Sequence, residues 1–239
     1  MMVFKKPIFV HYYHTQLDVT DEERAVLEHN FSFYRRLDEK HKGYFRHRVK
    51  SFTDKYTIAG RGVEVTTEVK IKVAATWVML TFGMRSYLTE YFDAVILYPD
   101  TFETSVGEWS NSEFNPKAGA VVFSWAEFDA GLQYENDNIN IGLYQFARIL
   151  HLWYRIEDES DATASLYSML YDKFQNYLDN PRNRARIMES GYFNYDGFSS
   201  NEVFTAVALE HFFETPDTFK KALPRVYWHI ARMVNYKPV

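Results

Sequence analysis

The stretch Asn138-Ile-Asn-Ile-Gly-Leu-Tyr-Gln-Phe-Ala-Arg-Ile-Leu-His-Leu-Trp-Tyr-Arg155 decides how the chain is read. Ile139, Leu143, Phe146, Leu150 and Trp153 recur at offsets of 4, 7, 11 and 14, which places them on one stripe of an α-helix. That stripe is expected to be buried. Tyr144, Arg148, His151 and Arg155 follow i, i+4, i+7 and i+11 and form a second, polar stripe beside it, with Gln145 at its edge.

Two histidines four apart on one helical face, with a glutamate directly after the first, can grip a zinc ion from adjacent turns while the glutamate reaches the metal-bound water. Here the three positions hold Tyr144, Gln145 and Arg148. Tyrosine is an unusual zinc ligand, glutamine cannot act as a general base, and arginine is a permanent cation without a lone pair to give. Taken alone, the stretch is read as an ordinary amphipathic helix with a mixed polar face.

Working outward, the 239 residues suffice for one large core. A content of 46% hydrophobic and 25% charged residues is that of a soluble globular chain, and 18% aromatics predict a ring-rich interior. A net charge of -5 offers no electrostatic case for nucleic acid or an anionic membrane. The absence of cysteine excludes disulfides, a thiolate nucleophile and a cysteine metal site, and it suits a reducing compartment. The apolar run Ile8 to Val10 is too short for a signal peptide, and Val73 to Phe82 is about half a membrane span. A cytoplasmic protein is expected.

Residues 1–17 read as an aromatic and basic lead-in, and 18–239 as one domain without repeats or linkers. Thr20 with Glu23 is a capping box, opening a helix through Leu27, Phe31, Tyr34 and Leu37 that is expected to end near Lys42–Gly43. Phe45 to Tyr56 reads as a short second helix, its His47, Arg48 and Lys50 forming a solvated face. Thr66 or Thr67 caps a buried helix ending at Gly83. Asp93 to Pro99 and Val121 to Trp125 read as strands, with an edge strand between Phe102 and Trp109. Ser160 is expected to cap a long helix ending at Asn180–Pro181, and 181–200 to be a connection. Ser199 with Glu202 reads as a second capping box opening a helix through Phe213. Thr215–Pro216 starts another, and Pro224 restarts or kinks it.

In their order these pieces resemble the Mlc titration factor A family of zinc-dependent peptidases, whose metal-binding half is similar to the catalytic domain of anthrax lethal factor. The carrying motifs are Thr20-Asp-Glu-Glu-Arg24, Val65-Thr66 with Ala74-Ala75, Leu97-Tyr-Pro99, Val122-Phe-Ser-Trp125, Tyr144-Gln-Phe-Ala-Arg148, Glu202 to Pro216, and Leu223-Pro224 with Tyr227. The resemblance spans roughly residues 18 to 237. It implies an α+β, mostly helical, zincin-like domain with a small sheet.

It also implies a site. The two histidine ligands correspond to Tyr144 and Arg148, the catalytic glutamate to Gln145, and the aspartate that often follows to His151. The third ligand corresponds to Glu202 and an oxyanion-steadying tyrosine to Tyr195; an ungapped match anchored on Glu210 would put Val203 at the ligand position instead. The expected remnant site is therefore Tyr144, Gln145, Arg148, His151, Tyr195 and Glu202, with no metal and no cofactor where the family binds zinc. A salt bridge from Arg148 to Glu202 is expected in the metal's place, with Tyr144 or Tyr195 adding a hydrogen bond. The function expected is that of a pseudopeptidase that binds a protein or peptide, with a transcriptional repressor as one kind of partner. Two other readings stand beside it: an active aminopeptidase with a shifted metal site using His151, Glu202 and one of His11, His14 or His211, and an unrelated interaction domain.

Overall fold

A computed structural model describes residues 10–133, 139–156 and 161–236. Thr20 caps helix α1 (Asp21–Asn30) with the reciprocal Glu23 bond of a capping box. The expected continuation through Leu37 fails at Phe31, whose extended backbone (φ -126, ψ 101) breaks the helix before the short α2 (Ser32–Arg35). Asp38 then caps α3 (Glu39–Lys55) by accepting the His41 amide, so the chain at Lys42–Gly43 lies inside a helix rather than at its end.

The solvated face expected on α3 is corrected as well. Arg48 is wholly buried and donates to the carbonyls of Thr81 (2.8 Å), Phe82 (3.2 Å) and Met84 (2.7 Å), to the Tyr13 hydroxyl (2.7 Å) and to the Val10 carbonyl (3.2 Å). Three of those carbonyls lie at the C-terminal end of α4 (Thr67–Thr81), where the helix macrodipole is negative and the last carbonyls lack partners within the helix. His47 is buried too and accepts the Leu17 amide at Nδ1, 2.9 Å away. Only Lys50 behaves as expected, half-exposed and paired with Asp54.

Helix α4, capped by Thr66, is buried on nearly every side, which is why its sequence shows no polar face. Its one buried charge, Lys72, is held by Glu68 at 2.6 Å and Asp129 at 2.7 Å. Gly83 ends this segment, because a side chain there would meet the Val234 carbonyl oxygen at 2.2 Å.

The expected strands are β2 (Ala94–Tyr98) and β6 (Ala120–Ser124), with Trp125 already in the next helix. They form the centre of a four-stranded sheet of order β1-β2-β6-β5. The two outer strands, β1 (Thr57–Gly60) and β5 (Ser112–Asn115), are unforeseen; β1, β2 and β6 run parallel, and β5 pairs antiparallel with β6. The edge strand expected between Phe102 and Trp109 is instead a separate two-residue ribbon, β3 (Phe102–Glu103) with β4 (Trp109–Ser110).

After α5 (Trp125–Gln133) comes the central helix, α6 (Ile141–Ile156). Leu143, Phe146, Leu150 and Trp153 are buried as expected. Ile139 is not: it precedes the helix and is 62% exposed. Asn138 and Ser160 fall outside the described residues, and Asp161 is the residue whose side chain caps α7 (Ala162–Leu178). The expected connection over 181–200 contains α8 (Pro181–Glu189), capped by Asn180, and a 3-10 turn at Tyr195–Phe198. Ser200, rather than Ser199, caps α9 (Asn201–Glu214) by accepting the Val203 amide. Pro216 opens α10 (Pro216–Ala222), and Pro224 starts a new helix, α11 (Pro224–Met233), rather than kinking the old one.

The whole forms one hydrophobic core in an α+β domain, with the helices outnumbering a small mixed sheet. Among the described residues no helix is long and apolar enough to cross a membrane.

Candidate functional site

Helices α6 and α9 pack side by side, and their relative position is fixed at the start of α6. Asn140 accepts the Leu143 amide through Oδ1 (2.9 Å) and donates through Nδ2 to the Gly131 carbonyl (3.0 Å). Its own amide donates to Oε1 of Glu210, a buried carboxylate on α9, at 2.5 Å. A carboxylate at a helix N-terminus meets unpaired amides and the positive end of the macrodipole, so Glu210 ties the two helices together. Gly142, in the first turn, admits Phe128 of α5, since a side chain there would meet its Cε2 at 2.5 Å.

Along α6 the polar stripe then unfolds in order. Tyr144 is half-buried, and its ring centroid lies 5.9 Å from the guanidinium carbon of Arg148. Gln145 is buried, with the Ser112 hydroxyl of β5 approaching its Oε1 to 3.5 Å. Arg148 is exposed. His151 is buried against the Tyr171 ring (4.3 Å between centroids), with the Tyr167 hydroxyl 3.5 Å from Nδ1 and Glu202 Oε1 4.0 Å from Nε2.

The structure therefore brings Glu202 beside α6, but to a different partner from the one the sequence suggests. Among the described residues no ion pair joins Arg148 to Glu202; the carboxylate lies next to His151 while its side chain stays 69% exposed. The reason is one of level: Asn140 at the start of α6 meets Glu210 late in α9, so Glu202 in the first turn of α9 lies opposite His151, about one turn beyond Arg148. Burial holds the His151 imidazole below its usual value, against the upward pull of Glu202, and Arg155 adds to the lowering. At neutral pH the imidazole is thus uncharged, and its contact with Glu202 is a weak polar one. Burial raises Tyr171 to about 12, with Glu202 adding to the rise, so its hydroxyl keeps its proton. Tyr195 opens the 3-10 turn before α9.

Sequence reasoning missed Glu210 as the clamp, although the residue anchors the motif on α9. It missed Ser112, because β5 was not foreseen. Tyr167 and Tyr171, spaced four apart on α7, carried the helical signal that would have placed them on one face.

The chain belongs to the glucose-regulated metallo-peptidase M90 family. The family's model matches residues 10–234, nearly the whole described chain. No curated protein matches the chain. Membership excludes the reading of an unrelated interaction domain, and the family's description as metallo-peptidases implies a metal, zinc by the resemblance, against which the residues can be tested.

The donor set at the M90 positions read from the sequence does not fit that ion. Arg148 has no lone pair and carries a fixed positive charge, Gln145 cannot accept a proton at neutral pH, and Tyr144 would have to lose one. Among the described residues no group of three or more histidine, cysteine, aspartate or glutamate side chains is arranged to hold a metal. His11 lies elsewhere, stacked on Tyr44, and His211 packs against Phe193 and Tyr192. His14 lies against Tyr12, and among the described residues His151 and Glu202 stand as a pair without a third such side chain.

Proposed function

We propose that this chain is a catalytically inactive member of the M90 family that acts by binding a protein or peptide. The observation that carries the reading is the guanidinium of Arg148, an exposed cation on the stripe of α6 where the family resemblance expects a metal ligand. A permanent cation at that point repels Zn²⁺, and the adjacent Gln145 amide cannot deprotonate a water.

Support for binding comes from β5. It is the last strand of its sheet and, among the described residues, pairs only with β6; on its other edge the Ser112 amide and carbonyl are bonded to the Ser110 hydroxyl, and the antiparallel alternation turns the amide and carbonyl of Phe114 outward. All four of its residues are half-buried, and Ser112 approaches Gln145 of α6. An extended segment adding to that edge would run beside the polar stripe of α6 and gain main-chain hydrogen bonds irrespective of its sequence. The resemblance suggests a transcriptional repressor as one partner of this kind.

The test compares the parent chain with a variant carrying Tyr144→His, Gln145→Glu and Arg148→His. Both are purified without chelator, assayed for zinc and for release from a chromogenic aminopeptidase substrate, and used to capture partners from native lysate. The parent is expected to hold substoichiometric zinc, show no turnover and retain a partner. Turnover by the parent overturns the inactive reading, and failure to retain any protein overturns the binding reading.

A further inference from the structure

On the surface built by α7 and α11 lies a groove of about 480 Å³, lined by Leu166, Met169 and Leu170 from one helix and Trp228, Ala231 and Arg232 from the other. Trp228 is 43% exposed, an unusual position for the largest apolar side chain. Next to Trp228, the His229 ring packs on α7, 5.3 Å from Phe174 and 4.9 Å from Tyr177.

Among the described residues the charge around this groove is one-sided. Arg232 is the one charged residue in its lining. Lys220 of α10 reaches over Trp228, its Nζ 5.5 Å from the ring centroid. Lys173 is exposed three residues after Leu170 and four after Met169, on the same face of α7. Among the described residues none of these three cations forms an ion pair, whereas the acid next to Lys173, Asp172, is taken by Arg155 at 2.8 Å. Helix α11 contains no acidic residue, and α10 contains one, Asp217. In a chain of net charge -5, this is a local cationic rim around an apolar trough.

We infer that the groove between α7 and α11 docks an acidic amphipathic helix of a partner protein, with apolar side chains in the trough and carboxylates on Lys173, Lys220 and Arg232. A trough between two packed helices accepts the apolar stripe of a third, spaced i, i+3, i+4 and i+7. Charge selects the occupant. A second copy of this chain docked by two-fold symmetry would set the same cationic patch on both sides of the interface, and like charges across an interface disfavour that pairing. The surface lies on helices away from β5, so it is a binding site additional to the one proposed above.

The test uses two synthetic, tryptophan-free amphipathic peptides with the same leucine stripe, one with glutamates and one with lysines on its polar face. Binding to the full chain is followed by anisotropy of a labelled peptide, and burial of Trp228 by the blue shift of its emission. The glutamate peptide is expected to bind saturably, more weakly as salt rises, with a blue shift that disappears in Trp228→Phe. Charge reversal by Lys173→Glu with Arg232→Glu, both exposed and tolerable to the fold, should weaken it at least about tenfold. The inference is overturned if the glutamate peptide does not bind, if both peptides bind equally, or if the charge-reversed variant binds as the parent does. It is also overturned if vesicles containing phosphatidylserine, and not the peptide, produce the Trp228 shift.

Discussion

Replacing Arg48 with methionine should unfold the protein far more readily than replacing Arg148 with alanine, although Arg148 is the arginine on the candidate site. Arg48 is wholly buried and spends its donors on five acceptors, three of them carbonyls around the end of α4. Methionine occupies similar apolar volume but leaves those carbonyls and the Tyr13 hydroxyl without their donor. Relief of the arginine's desolvation offsets part of the loss. All five acceptors are neutral, and each buried one left without a donor costs about 1 to 3 kcal/mol, so a net loss of about 3 to 5 kcal/mol is expected after that relief. For a domain of this size each kcal/mol moves Tm by roughly 2 to 4 °C, so Arg48→Met should melt roughly 6 to 20 °C below the parent. Arg148 is exposed and makes no ion pair among the described residues, so Arg148→Ala should change stability by less than about 0.5 kcal/mol. Thermal unfolding of parent and both variants by circular dichroism decides it. An Arg48→Met variant melting within about 2 °C of the parent refutes the reasoning, as does an Arg148→Ala loss of equal size.

Acid should weaken the fold through its buried imidazoles. Burial, with Arg48 and His41 adding to it, lowers His11 to about 3, and burial alone lowers His211 to about 4. The unfolded chain binds these protons first, so the stability they confer is present above the ordinary imidazole value of 6.5 and is lost as pH falls from there towards 4. Tm should therefore drop between pH 7 and pH 5, and His211→Phe should flatten the slope. Glu210→Ala removes the carboxylate from the N-terminus of α6 and should cost about 1 to 2 kcal/mol in urea unfolding; a neutral result would mean that α6 and α9 are held by apolar packing alone. Gly142→Ala forces Phe128 aside and should cost about 1 to 3 kcal/mol, read from the same titration.

How much of this was legible in the sequence differs from one element to the next. The helices α4, α6, α9 and α11 announced themselves through caps, prolines and apolar spacing, because those signals are local. Strands β1 and β5 did not, since each has four residues and owes its existence to pairing with a partner far along the chain. At Asn180–Pro181 the same cap-then-proline signal that marks Thr215–Pro216 was read as a stop, although it also opens α8. Arg48 looked like a surface residue because its charge type usually is one, and its acceptors on α4 lie 33 to 36 positions away.

The candidate site was legible in its residues and not in its pairing. The stripe on α6 could be read from spacing, and Glu202 was expected beside it from the family resemblance. The level of α9 along α6, which gives Glu202 to His151 instead of Arg148, goes with the contact of Asn140 and Glu210, and no local pattern encodes it.

The most direct test is the zinc content of the parent chain, purified without chelator and measured per polypeptide by mass spectrometry of the metal. If Arg148 and Gln145 have replaced the metal chemistry on α6, zinc should be far below one ion per chain and unchanged by Glu202→Gln. One ion per chain, lost in Glu202→Gln, would contradict it.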